Sequence, residues 1–220
     1  MKKILILILL VFFCSGSAFG DEFEDTLKKA EQGDATAQNN LGEIYFFGIG
    51  VPQDDKQAVY WYKKAAEQGH DDAQYSLGFM YYNGKEVTQN YKKAIYWYKK
   101  SAEQGYAYAQ YHLGFMYDNG EGVTQNYKQT LYWYKKSAEQ GIAEAQHNLA
   151  TLYYEGTGVP QNFKKAYIWW SLAAAKGPYT AAENRNITAE KLTPQQLAEA
   201  QELAAQMQEK IDSAKGLKKD

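Results

Sequence analysis

Hydrophobic and glycine positions along this chain recur at one long interval. Glycine stands at 33, 69, 105, 141 and 177, tryptophan at 61, 97, 133 and 169, and tyrosine at 45, 81, 117 and 153, each set 36 residues apart. A fixed period of this length marks stacked copies of one supersecondary unit, so four repeats are expected. Each opens on Ala-Gln, at Ala37-Gln38, Ala73-Gln74, Ala109-Gln110 and Ala145-Gln146. Leu41-Gly42, Leu77-Gly78, Leu113-Gly114 or Leu149-Ala150 follows, and then a glycine-containing break. Ala37, Leu41, Ile44 and Tyr45 fall at i, i+4, i+7 and i+8, one face of a helix that ends near Gly48. Gly48 to Pro52 read as a turn, and a second helix carries Ala58, Trp61, Tyr62, Ala65 and Ala66 on one face before stopping at Gly69. We call these helix A and helix B. Neither can bury its apolar stripe alone, so antiparallel pairs must stack around a shared core, which predicts an all-α solenoid with no strand of five or more residues. Trp97 and Tyr81 are expected on the buried face. Gly42 and its equivalents cost a helix about 1 kcal/mol each, which predicts a close approach to the backbone there.

The repeats are expected at 33–68, 69–104, 105–140 and 141–176, within 33–177. Ala30-Glu31-Gln32-Gly33 mirrors Ala66-Glu67-Gln68-Gly69, so 21–32 reads as an N-terminal capping half-repeat. At the other end Tyr132, Lys135, Lys136 and Glu139 of repeat three become Ile168, Ser171, Leu172 and Ala175 in repeat four, a face that needs covering. Capping helices within 178–214 are the expected cover. The last begins at Thr193 as N-cap with Pro194 in the first position, and its stripe is Leu197, Ala200, Ala204, Met207 and Ile211. Residues 215–220 read as a charged tail.

The string from Ala37 to Gly69, with Leu41-Gly42, Tyr45, Gly48, Gly50-Val51, Lys56, Ala58, Trp61-Tyr62, Lys64-Ala65-Ala66 and Gln68-Gly69, resembles the Sel1-like repeat, a relative of the tetratricopeptide repeat. The resemblance recurs four times over roughly residues 22–177. It implies a right-handed solenoid and the role common in that family, an adaptor or scaffold that binds other proteins in bacterial signalling, envelope biology or host contact. Glu86 departs from the pattern by replacing the second turn glycine, which predicts a strained or reshaped loop if that position needs positive φ. Thr130 replaces the helix B alanine in repeat three. Cysteine-rich members of the family have been described as β-lactamases.

Composition narrows the function further. Apolar residues make up 45% of the 220 and aromatics 15%, which suits a packed core. Lys2 and Lys3, the ten apolar residues Ile4 to Phe13, and Ser17-Ala18-Phe19-Gly20 read as a cleavable signal peptide, 1–20, with cleavage after Gly20. Ten apolar residues fall short of the ~20 that span a bilayer, and Phe13 before Cys14 does not suit lipidation. An exported protein, periplasmic or secreted, with no membrane span is expected. Removing Lys2 and Lys3 from the 24 basic residues leaves 22 against 26 acidic, a formal charge of −4, so nucleic acid is not an expected partner. Cys14 is the only cysteine, so after cleavage no disulfide, thiolate site or thiol nucleophile is left, outside the β-lactamase subset.

Catalytic patterns are missing: there is no Gly-x-Ser-x-Gly, no His-Glu-x-x-His and no phosphate loop. Glu144 and His147 at i, i+3 lack a second ligand pair, so neither metal nor cofactor is expected. The Lys63-Lys64, Lys99-Lys100 and Lys135-Lys136 pairs lie one turn from Glu67, Glu103 and Glu139 and read as a solvated outer face. The informative positions vary between repeats on the face of helix A opposite Ala37 and Leu41. They are Asn39, Glu43 and Phe46, then Tyr75, Phe79 and Tyr82, then Tyr111, Phe115 and Asp118, then His147, Thr151 and Tyr154. Large aromatics there suit recognition. By resemblance to the tetratricopeptide fold they line a concave groove for a protein or peptide partner, with Asp118, Glu43 and His147 selecting its charge. Packing between adjacent repeats is the competing reading, evenly weighted for Phe79 and Phe115. The expected function is a monomeric exported scaffold. A cell-envelope hydrolase or β-lactamase-like enzyme and a purely structural spacer are the alternatives.

Overall fold

Helix ends follow from local chemistry. Asp34 and Asp54 in the first half of the chain, and Asn126 and Asn162 in the second, sit in extended backbone and accept hydrogen bonds from the first free N–H groups of the helices they open. Gly48, Gly84, Gly120 and Gly156 close each helix A in the left-handed conformation, with φ of 66° to 77°. A computed structural model describes residues 18–175, 177 and 179–216. Lys2, Lys3, the apolar stretch 4–13, Cys14 and the tail end 217–220 lie outside the described residues.

Eleven helices and no strand occur among the described residues: α1 (Ala18–Glu31), α2 (Ala35–Phe47), α3 (Asp55–Glu67), α4 (Asp71–Asn83), α5 (Tyr91–Glu103), α6 (Ala107–Asn119), α7 (Tyr127–Glu139), α8 (Ala143–Glu155), α9 (Phe163–Ala174), α10 (Tyr179–Ala189) and α11 (Pro194–Gly216). This is an all-α solenoid of stacked antiparallel helix pairs. The chain divides into two compact units, residues 1–90 and 91–220. In the first, α1 packs on α2, α2 on α3 and α3 on α4. In the second, packing runs from α5 through α9 in chain order, and α10 and α11 both lie on α9.

The Ala-Gln pair has a structural use. Gln38 Nε2 donates to the Ala30 carbonyl at 3.0 Å, Gln74 to Ala66, Gln110 to Ala102 and Gln146 to Ala138, each at 3.1 Å. Each amide adds a second hydrogen bond to a carbonyl in the last turn of the preceding helix, one that already accepts from the N–H of Gly33, Gly69, Gly105 or Gly141, and so ties the two helices together. The helix A glycines make room for a ring: a Cβ on Gly42 would meet Tyr62 Cδ1 at 2.6 Å, and one on Gly114 would meet Tyr134 at the same distance. Glu86 holds φ +51°, the left-handed turn that Gly50, Gly122 and Gly158 adopt at φ +66°, +72° and +68°. Repeat two therefore keeps the shape of the turn and carries the strain. The helix B anchor also differs from expectation. Tyr98 is fully buried while Trp97 and Tyr81 are half-buried, although Trp61, Trp133 and Trp169, at the position equivalent to Trp97, are buried.

At the C-terminal end Ile168 and Leu172 of α9 are buried in one cluster with Ala200, Ala204 and Ile211 of α11, and Leu197 and Met207 pack against it. Thr193 Oγ1 accepts from the Gln196 N–H at 3.3 Å and Gln196 Oε1 accepts from the Thr193 N–H at 3.0 Å, a capping box at the start of α11. Ala175 lies past the last turn of α9 and is exposed, so it takes no part in the covered face.

Candidate functional site

All ten candidate groove residues, Glu43, Phe46, Tyr75, Phe79, Tyr82, Tyr111, Phe115, Asp118, His147 and Tyr154, are half-buried. Each has one side on the protein and one side open, and they divide five to each unit.

In the first unit Phe46 of α2 meets Phe79 of α4 edge-on, with ring centroids 6.2 Å apart, and lies 6.5 Å from Tyr62. Phe79 thus bridges adjacent repeats. Lys85 Nζ sits 4.8 Å from the centre of the Phe46 ring. Glu43 accepts from Asn39 Nδ2 at 3.1 Å, and together with burial its charge pushes the Tyr62 hydroxyl above the ordinary phenol range. Tyr75 and Tyr82 are half-buried on α4.

In the second unit Tyr111 of α6 stacks on Tyr134 of α7 at 5.9 Å and 26°, and Phe115 lies 6.5 Å from Tyr111. Asn148 Nδ2 donates to the Tyr134 hydroxyl at 3.1 Å, and that hydroxyl is hydrogen-bonded to Asp118. Burial raises the Asp118 carboxyl above its usual range against the lowering effect of that hydrogen bond, and the charge of Glu155 adds to the rise. Tyr154 of α8 packs between Trp170 and Phe163, 5.3 Å from each. His147 lies 6.3 Å from Trp170, and burial lowers its pKa, keeping it neutral at pH 7. A cleft of about 210 Å³ opens here, lined by Thr151, Tyr154, Glu155, Trp170, Asn184 and Ile187. Trp170, Glu155, Asn184 and Ile187 were not among the sequence candidates. The available signal was the change of Tyr62, Tyr98 and Tyr134 to Trp170 together with Gly42, Gly78 and Gly114 to Ala150, which marks repeat four as reshaped at this spot.

The paired lysines behave as a solvated face. Lys63, Lys99 and Lys135 lie 3.8 Å from Glu67, Glu103 and Glu139, while Lys64 and Lys100 lie 5.0 Å from the Tyr60 and Tyr96 ring centres. Among the described residues the side chains of His70, Asp71 and Asp72 come close enough together to share a metal ion, although His70 Nδ1 already accepts from the Ala73 N–H to cap α4. Glu144 and His147 are not part of that group. No helix among the described residues is long and apolar enough to cross a membrane.

Helix pairs of nearly equal length, repeated on one backbone template with a variable face on helix A, define a repeat scaffold of the α-solenoid class. The Sel1 repeat family model matches residues 35–70, 71–106, 107–142 and 143–178, and the chain belongs to that family. It is 34% identical to a Sel1 repeat protein from Oxalobacter formigenes, with a TM-score of 0.71 over 83% of this chain and 75% of the other. It is 35% identical to a protective antigen with this repeat fold that is present in uropathogenic Escherichia coli strains, with a TM-score of 0.55 over 84% of this chain and 48% of the antigen. This chain therefore spans about half the antigen's length. An immunity protein from Pseudomonas aeruginosa, 23% identical with a TM-score of 0.51 over 89% of this chain and 76% of the other, shares the fold. No curated protein matches the chain. Sel1 repeats form a scaffold family that commonly mediates protein interactions.

Proposed function

We propose that this protein is an exported Sel1 scaffold that holds a protein or peptide segment against its helix A side, as an adaptor in the cell envelope or at host contact. The observation that carries this reading is the segregation of variation. Between repeats the buried Ala, Leu and Gln positions that open helix A stay fixed, while its half-buried positions change among aromatic, acidic, imidazole and hydroxyl side chains. Variable aromatics with one face open suit a partner-specific contact. Export rests on the basic and apolar pattern before Gly20. Cleavage after Gly20 is compatible with the fold, because Phe23, Leu27 and Ala30 of α1, which pack on α2, all lie beyond it. The likeness to an antigen present in uropathogenic strains supports a role at the cell exterior.

The reading is tested by affinity capture from envelope extracts with three baits: wild type, Glu43→Lys combined with Asp118→Lys, and Lys64→Glu combined with Lys100→Glu. Mass spectrometry should find the same partner on the first and third baits and not on the second. Loss from the third bait alone would move the binding surface to helix B.

A further inference from the structure

Charge in the second unit is sorted by helix. α6 and α8 carry Asp118, Glu144 and Glu155 and no lysine or arginine, whereas α5, α7 and α9 carry nine lysines against Glu103 and Glu139. Asp118 and Glu155 are close enough to act on one another, and among the described residues neither is ion-paired with a lysine or arginine. The basic groups of α9 and α10 are engaged elsewhere. Lys164 pairs with Glu199, Lys165 lies 5.0 Å from the centre of the Tyr153 ring, and Arg185 donates to Asn186 Oδ1 at 2.9 and 3.2 Å.

Beside these carboxylates is the cleft of about 210 Å³, smaller than the ~300 Å³ and upward of sites for drug-sized molecules and suited to one side chain. Two of its walls are aromatic, Tyr154 and Trp170, with ring centroids 5.3 Å apart at 55°, and Glu155 contributes a carboxylate.

We propose that this cleft receives the basic side chain, arginine or lysine, of a bound protein segment, its cation held against the Tyr154 and Trp170 rings and the Glu155 carboxylate. An aromatic ring attracts a cation through its quadrupole, and two carboxylates without a countercharge repel any acidic group and gain nothing from a neutral one. The inference rests on helix A receiving a partner segment, and it names the chemistry that face selects.

The test uses the ¹⁵N-labelled full chain and follows the Trp170 indole signal, assigned with Trp170→Phe. N-acetyl-arginine amide should shift that signal saturably, and N-acetyl-citrulline amide, its neutral isostere, should bind about five- to tenfold more weakly. Glu155→Gln should cut that preference by more than half, the rings keeping the remainder, and Lys100→Gln should leave it unchanged. Equal binding of the two probes, or a preference undiminished by Glu155→Gln, overturns the inference. A second arm selects twelve-residue peptides from a random library on the same protein. Enrichment of a basic residue at one position, lost with Glu155→Gln, supports the cleft. Enriched peptides without basic residues that bind wild type and Glu155→Gln alike overturn the cleft inference and leave peptide binding intact. No enrichment at all counts against both.

Discussion

Repeats three and four share a backbone template and use it differently. In repeat three, Gly114 admits the Tyr134 ring, and the outer face of α7 shows Tyr132, 49% exposed, with Lys136 over its ring. In repeat four, Ala150 and Trp170 replace that pair, and Ile168 and Leu172 replace Tyr132 and Lys136 and are buried under α11. A handful of substitutions thus turns an internal unit into a terminal one and opens a cleft beside Trp170. In a solenoid each unit answers only to its neighbours, so such local changes suffice.

The largest expected effects concern what the two repeats share and where they part. Tyr134→Ala and Trp170→Ala should each cost about 3 to 5 kcal/mol in chemical denaturation, since both rings are buried. Ile168→Ala should cost about 2 to 4 kcal/mol, and Tyr132→Ala, at the equivalent position, less than about 0.5 kcal/mol. Equal losses at 132 and 168 would remove the distinction between an open and a covered face.

Acid should affect the repeats unequally. Repeat three places His112 where repeat four has Asn148, and burial pushes the His112 pKa down to about 4 from 6.5 as the ring stacks on Tyr98 at 5.1 Å. The unfolded chain binds the proton first, so stability rises with pH across this window. It is fully present above pH 6.5 and falls by about 3 kcal/mol on acidification toward pH 4. His112→Asn should flatten most of that dependence in denaturation series between pH 4 and 7. His147, lowered by burial, and Glu199, held low by its hydrogen bond from Lys164, leave a residual slope of the same sign, and an unchanged slope would place the titration elsewhere.

The smallest effect is the most pointed, because it reverses helix propensity. Gly114→Ala should destabilise by about 1 to 3 kcal/mol although alanine is the better helix former, because its Cβ would meet Tyr134 at 2.6 Å. Ala150→Gly should cost about 1 kcal/mol through propensity. A stabilising Gly114→Ala would show that the Tyr134 ring moves aside without penalty.

The solenoid was legible because its evidence is periodic: glycines and aromatics 36 residues apart define helix ends and buried stripes with no tertiary information. Contacts between elements were not. The expected close approach at Gly42 turned out to be the Tyr62 ring of the same repeat, and the role of Gln38 required the Ala30 carbonyl, eight residues back across a turn. Trp97 looked like an anchor by its period and is half-buried, whereas its equivalents Trp61, Trp133 and Trp169 are buried, a difference between repeats that the period does not show. The helix A face was legible as a set of ten residues, but a helical wheel does not tell half-buried from open. Tyr111 and Tyr154, read from sequence as contacting a partner more than the core, also rest on Tyr134 and Trp170. The cleft was missed because three of its residues, Trp170, Asn184 and Ile187, come from α9 and α10, outside the helix A pattern.

The central claim, that a partner lies on the helix A side, is tested most directly by photo-crosslinking. A benzophenone amino acid placed at Tyr154 on α8, and separately at Tyr132 on the outer face of α7, is irradiated in intact cells of the source organism. The account predicts a discrete protein adduct from position 154 and none from position 132, and an adduct from 132 alone would contradict it.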